Sequence, residues 1–172
     1  MRALIKLPTA CACLAAALLA GCAASNSKLY AVAEPIDVVF VCQYGYAKSL
    51  VAAKHFERLA GERGLPVRVV ARGFTPNANV PEPLARQLAS DGFDVAAYQP
   101  RPLTPSDLVG AEHVVTFGVA PPPAYSGRAH RWDAVPALGE DYPRARDEIL
   151  ALLQPLLNEI EREARKAGSR AR

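Results

Sequence analysis

"VVFVCQYGYAKSLVAAKHF", Val38 to Phe56, joins an apolar run to a second run of different period through a thiol, five residues, a lysine and a serine. With Ile36 and Asp37 before it, the first run reads IDVVFVC. It is nearly continuous apolar and β-branched, the pattern of a strand buried on both faces in a parallel sheet. After the cysteine the period changes. Ser49 is placed to cap a helix reaching Leu59 to Glu62, with Val51, Ala52, Phe56, Leu59 and Ala60 facing inward. A strand that ends in a thiol and feeds directly into a helix is the first half of a βαβ unit.

Downstream segments extend the pattern. GERGLP breaks the helix, and VRVVARG is a second strand. VPEPLARQLASDG is a helix opened by prolines and closed by glycine. TPSDLVGA is a short helix with a Thr or Ser cap, HVVTFGV a third strand, and APPPAYSG a loop. A long helix follows GEDYP, with Ile149, Leu152, Leu153, Leu156, Leu157 and Ile160 along one stripe. Pro155 lies off that stripe and is expected to kink it. Strands alternating with helices predict an α/β domain with a parallel sheet. There is no internal repeat.

Upstream of Ile36 the chain reads differently. MRALIKLPTACACLAAALLAGC has a basic start, Arg2 and Lys6, and then an uncharged apolar stretch. That stretch is shorter than the roughly 20 residues of a membrane span but fits the core of a signal peptide. It ends in Leu19-Ala20-Gly21-Cys22, which resembles the lipobox of bacterial lipoproteins. The resemblance implies cleavage before Cys22 and lipidation of that cysteine, a firm membrane anchor. Ala23 follows, so the acidic residue linked to inner-membrane retention is absent. The expected address is the cell envelope, on the periplasmic face of the outer membrane. AASNSKLYAVAEP then reads as a tether. The expected organisation is a signal peptide over 1–21, a tether over 22–35, an α/β domain over 36–168 and a tail over 169–172.

Composition agrees with one ordinary domain. The chain has 172 residues, 51% hydrophobic and 22% charged, with a net charge of +3. The basic residues form no stripe, which argues against nucleic acid as a partner. REARKAGSRAR near the end reads as a solvated helix end rather than a polyanion contact. Of the four cysteines, Cys11 and Cys13 would leave with the signal and Cys22 would carry lipid. Cys42 would then be the single thiol of the mature chain, with no disulfide partner.

Its setting suggests chemistry. In open parallel sheets, sites form beyond the C-terminal ends of the strands, where Cys42 sits. Gln43, Tyr44, Gly45, Tyr46, Ala47 and Lys48 form a tight loop at a helix N-terminus, where successive backbone N–H groups make an anion nest. Gly45 can take the left-handed conformation that a concave cradle needs. The same field favours a thiolate nucleophile. Ser49 can hydrogen-bond the sulfur, and Lys48 adds positive charge for a bound oxyanion.

The stretch resembles the low-molecular-weight protein tyrosine phosphatases and the arsenate reductases that share their fold. Their loop is Cys, five residues, Arg, Ser; here it is Cys42, QYGYA, Lys48, Ser49. RWDAVPALGEDYPRARDEI resembles the family's late acidic loop leading into the last helix. The resemblance covers Ile36 to Ile160 and implies an open parallel four-stranded sheet with helices on both faces. Two positions depart from it. Lys48 replaces an arginine, keeping charge but losing the two-point clamp. The family's general acid is an aspartate directly before a proline, and Val135 precedes Pro136 here. Asp133 is the nearest carboxylate, followed by Glu140 and Asp141. Either Asp133 protonates the leaving group from a shifted position, or nothing does. Tyr44, Tyr46 and Trp132 either wall the pocket or pack at its edge. His55 reads as a helix-surface residue, and His113 and His130 as flanking strand ends with no metal spacing.

Three functions follow from the resemblance. The first is a phosphomonoesterase in which Cys42 forms a phosphocysteine, without metal or cofactor. The second is an arsenate reductase using an external thiol, since no resolving cysteine accompanies Cys42. The third is a non-catalytic lipoprotein that binds phosphate or another oxyanion. The partners implied are a phosphorylated substrate or inorganic oxyanion, and a membrane through Cys22. Oligomeric state leaves no mark in the sequence.

Overall fold

The computed structural model describes residues 34–170. The expected signal peptide, the lipidated Cys22 and all of the tether before Glu34 lie outside the described residues.

Eight elements follow in chain order: β1 Ile36–Cys42, α1 Lys48–Glu62, β2 Val67–Gly73, α2 Glu82–Ser90, α3 Pro105–Leu108, β3 Ala111–Thr116, β4 Arg128–Arg131 and α4 Tyr142–Arg170. The four strands form one sheet in the order β2-β1-β3-β4, parallel throughout. This is the expected fold class. β1 lies inside the sheet, and alternation along it feeds two cores. Val38, Phe40 and Cys42 face a large cluster with Leu50, Phe56, Leu88, Ile149, Leu153, Leu157 and Ile160. Val39 and Val41 face a smaller cluster with Ala111 and Val114, covered by Leu103, Leu108 and Tyr125. The first cluster therefore sits under α1, α2 and α4, and the second under α3 and the loops. Phe40 anchors the larger core, its ring centroid 5.5 Å from Phe56 and 6.1 Å from Trp132.

β4 is the element whose sequence conceals it. Its residues are Arg-Ala-His-Arg, and none is fully buried. It is an edge strand held by backbone pairing to β3, with Val115 opposite His130, so no apolar alternation marks it. α4 runs through Pro155, which lies exposed on the face away from the core. The short α3 is closed by a capping box: the Thr104 N–H donates to Asp107 Oδ2 at 2.8 Å.

His55 corrects the sequence reading. It is buried, 1% exposed. Its Nε2 lies 3.3 Å from Asp91 Oδ2, and Arg58 meets its Nδ1 at 2.9 Å. Asp91 also accepts from the Tyr142 hydroxyl at 2.6 Å and from Arg146 at 3.0 Å. One carboxylate thus joins α1, the end of α2 and the start of α4. Burial opposes its charge, but the hydrogen bonds from Tyr142, Arg146 and His55 outweigh burial and hold its pKa below the ordinary carboxylate value. Burial lowers the His55 pKa, and the Arg58 charge adds to this against the opposing pull of Asp91.

Both shifts act in one direction. When a folded-state pKa lies below its unfolded value, the unfolded chain binds more protons in the interval, so stability falls on acidification. The His55 contribution is complete above about pH 6.5 and is lost below it; the Asp91 contribution follows at lower pH. Thermal unfolding followed by circular dichroism should show Tm falling from pH 7.5 to pH 4, and Asp91→Ala should lower Tm at pH 7.5. The alanine variant leaves buried partners unpaired, at a cost of roughly 3 kcal/mol. A wild-type Tm independent of pH over this interval would refute the linkage.

Candidate functional site

β1 delivers Cys42 to the C-terminal edge of the sheet, 4% exposed. Its Sγ lies 3.0 Å from the hydroxyl of Ser49, itself fully buried in the first turn of α1. The sequence placed Ser49 as the helix cap. The helix instead begins at Lys48, Ala47 is the N-cap residue, and no side chain caps it. The serine is drawn inward because the thiol, not the helix end, is its partner. No acidic residue stands in the first turn of α1. The helix N-terminus therefore presents its positive end with no side-chain acceptor in place.

The loop between them is shaped by glycine and by its carbonyls. Gly45 is left-handed, with φ 70°. It lies against Gly73 at the end of β2, so closely that a Cβ on Gly73 would sit 2.6 Å from the Gly45 nitrogen. The Gln43 carbonyl accepts from the Thr75 N–H at 2.9 Å, and the Cys42 and Tyr44 carbonyls accept from Phe74 and Asn77, each at 3.3 Å. The Gly45 carbonyl accepts from the Tyr98 hydroxyl at 2.7 Å. Four successive carbonyls are satisfied from outside the loop, which withdraws their negative ends from its interior. Burial pushes the Tyr98 phenol up to about 12, against Arg72 and with a contribution from Cys42. The phenol therefore stays protonated and remains a donor. Gln43 reaches outward too, its amide donating to the Thr75 hydroxyl at 2.6 Å.

Lys48 does not stand alone. Its Nζ donates to the carbonyl of Val135, the residue before Pro136. The late loop is thus carried to the mouth of the Cys42 loop, and a buried valine occupies the place next to the proline. Asp133 faces elsewhere. Its Oδ1 accepts from the Gly118 N–H at 3.0 Å, and its Oδ2 pairs with Arg131 at 2.6 Å. Asp141 caps α4, accepting from the Arg144 N–H at 3.1 Å. Tyr44 and Tyr46 stack at 6.0 Å, with Tyr44 47% exposed at the rim. Trp132 is core, packed between Phe40 and Phe117.

The structure thus brings together Cys42, Ser49, the residues of the 43–48 loop and Lys48, with Asp133 braced on a neighbouring loop. Sequence reasoning overlooked Gly73, Thr75 and Tyr98. A glycine closing a β-branched strand signals close backbone approach, so Gly73 had a local mark; Tyr98, 53 residues from Gly45, had none.

No family model matches the chain, and no curated protein matches its sequence. Solved structures do. A thioredoxin-dependent arsenate reductase of Corynebacterium glutamicum superposes with TM-score 0.63 at 18% identity, covering 81% of this chain and 68% of that one. An arginine phosphatase of Geobacillus stearothermophilus gives TM-score 0.60 at 20% identity, over 75% of this chain and 95% of that one. A low-molecular-weight protein tyrosine phosphatase of T. tengcongensis gives TM-score 0.60 at 19% identity, over 72% and 99%. The chain shares the fold of these phosphatases and reductases.

Proposed function

We propose that the protein is a cysteine-dependent phosphomonoesterase. The observation that carries this reading is the buried Cys42–Ser49 pair, 3.0 Å apart, at the mouth of a helix that no side chain caps. The phosphoryl group seats on the N–H groups of the 43–48 loop. Cys42 attacks phosphorus as the thiolate, the bond from phosphorus to the leaving oxygen breaks, and a phosphocysteine forms. The Ser49 hydroxyl donates to the sulfur when water displaces it and inorganic phosphate departs. Lys48, anchored on Val135, adds its charge to the field over the equatorial oxygens.

In this reading Asp133, the candidate proton donor of the two alternatives the sequence left open, braces the loop after β4 through Gly118 and Arg131, and the leaving group departs without a carboxylic acid beside it. Rates should then fall steeply as the leaving group becomes more basic, with aryl phosphates of acidic phenols turned over best. Phosphoarginine joins phosphotyrosine among the substrates to test, because one structural neighbour is an arginine phosphatase. A second reading, a non-catalytic oxyanion binder, is favoured by Val135 beside Pro136 and by the engagement of Lys48 with its carbonyl. An arsenate reductase reading needs an external thiol, since Cys42 is the free cysteine among the described residues.

Lys48 separates the first two. Lys48→Ala should lower kcat for an aryl phosphate about 100-fold, similar to deleting one oxyanion donor, whereas Lys48→Arg should match or exceed wild type. Equal background rates in all three proteins would leave only the anion-binding reading. Delivery to the envelope belongs to the same proposal: fatty-acid labelling should mark the wild type and not Cys22→Ala, and equal labelling of both would remove it.

A further inference from the structure

A second cluster lies at the far end of the sheet. His113 on β3 stands level with Val38, away from the Cys42 end of β1. The sequence separates it from His130 by most of a crossover, which is why the two read as unrelated strand ends. Pairing of β3 with β4 places His130 opposite Val115, two residues along the same face from His113. Their rings stack at 5.3 Å, and His113 Nδ1 lies 3.0 Å from His130 Nε2. α4 closes the cluster from above with Glu159 and Glu163.

Hydrogen bonding settles the His113 tautomer. Its Nε2 lies 3.0 Å from Glu163 Oε2 and donates to that carboxylate. Nδ1 of this fully buried side chain therefore accepts from His130 Nε2–H at 3.0 Å, and a bound ion would take the place of that proton, with His130 protonated on Nδ1 instead. A buried imidazole donating its outer N–H to a carboxylate is the arrangement that orients a metal-ligating histidine. Ligand atoms of His113, His130 and Glu159 lie within 4.8 Å of one another. Two nitrogens bound tetrahedrally at about 2.0–2.1 Å from an ion stand roughly 3.3 Å apart. The observed 3.0 Å separation of the imidazole nitrogens is close to that spacing. Arg128 holds Glu163 and lies 3.6 Å from Glu159, so it balances both carboxylates when no ion is bound. A cavity of about 580 Å³, lined by Glu112, Arg128, Glu159, Arg162, Glu163 and Lys166 among others, opens beside the two carboxylates.

We propose that His113 Nδ1, His130 Nε2 and the Glu159 carboxylate bind one divalent transition ion of the Zn²⁺ and Co²⁺ class, with Glu163 as the outer partner of His113. Two imidazoles and a carboxylate suit these ions and not Mg²⁺ or Ca²⁺. The bound ion ties the polar edge strand β4 to the C-terminal half of α4. It takes no part in the Cys42 chemistry.

Co²⁺ alone, titrated into the full chain in detergent with thiols reduced, provides the test. The expected result is one equivalent bound with visible ligand-field bands and no sulfur charge-transfer band. Zn²⁺ should displace it. His130→Gln and Glu159→Gln should each weaken binding at least about tenfold, and Glu163→Gln about tenfold. Cys42→Ser should bind as wild type. Zn²⁺ in large excess over its Kd should raise the wild-type Tm by about 5 °C or more and leave that of His130→Gln unchanged. Glu159→Gln, on the helix surface, carries the test if His130→Gln fails to fold. Absence of binding overturns the proposal. So does binding that survives both substitutions, or a sulfur band, which would put the ion on a thiol.

Discussion

Cys42→Ser is expected to reduce hydrolysis of an aryl phosphate to the uncatalysed background, a loss on the order of 10⁴-fold or more. The reason lies in the nucleophile. A serine hydroxyl at this position has no general base: its neighbour within hydrogen-bond distance is Ser49, and no histidine or free carboxylate is described against it. A thiol depends on a base far less, because the thiolate it yields is intrinsically a strong nucleophile. Phosphate binding should survive, because the loop N–H groups, the α1 N-terminus and Lys48 are untouched. Phenol release and phosphate calorimetry on the same preparation measure both quantities. Turnover that persists in Cys42→Ser would show that the reaction does not pass through this thiol. Loss of binding together with turnover would show that the sulfur also shapes the cradle.

Gly73→Ala should weaken phosphate binding by displacing the Cys42 loop. Its added Cβ would lie 2.6 Å from the Gly45 nitrogen and 2.8 Å from the Tyr44 carbonyl carbon. Both are backbone atoms, so no side chain can rotate away. Either β2 or the Cys42 loop must move, and Gly45 at φ 70° has few alternatives. Overpacking of this kind costs about 1–3 kcal/mol, and Tm should drop by about 3–10 °C. Because the loop is the cradle, phosphate affinity should fall at least tenfold in the folded variant. Gly61→Ala in α1 is the contrast. A Cβ there meets nothing within 4 Å, and replacing glycine inside a helix should raise stability by about 1 kcal/mol. Wild-type phosphate affinity in Gly73→Ala would mean that the glycine contact does not set the loop.

What local pattern decides was readable from the residues. IDVVFVC is a strand over the same residues as β1, because a chain buried on both faces must be apolar throughout, and VRVVARG coincides with β2, a half-buried edge strand whose valines show through Arg68 and Arg72. The α1 stripe and the long α4 stripe followed from helical period, and the α3 cap from Thr104 with Asp107 three residues on. The thiol at the strand tip, the left-handed glycine and the lysine-serine pair marked the site for the same reason: all lie within eight residues, Cys42 to Ser49. Tertiary structure decided what joins distant segments. β4 is polar and exists through backbone pairing to β3, a partner its side chains do not announce. His55 is buried because Asp91 and Arg58 satisfy it, and a histidine in a helix cannot declare that in advance. Lys48 meets the Val135 carbonyl across 87 residues, and Asp133 turns to Gly118 and Arg131. His113 and His130 meet only because register and the lid of α4 set them on one face. Such partnerships depend on strand order and on which face each helix covers, and these are properties of the packed chain, since only packing brings those groups within bonding distance.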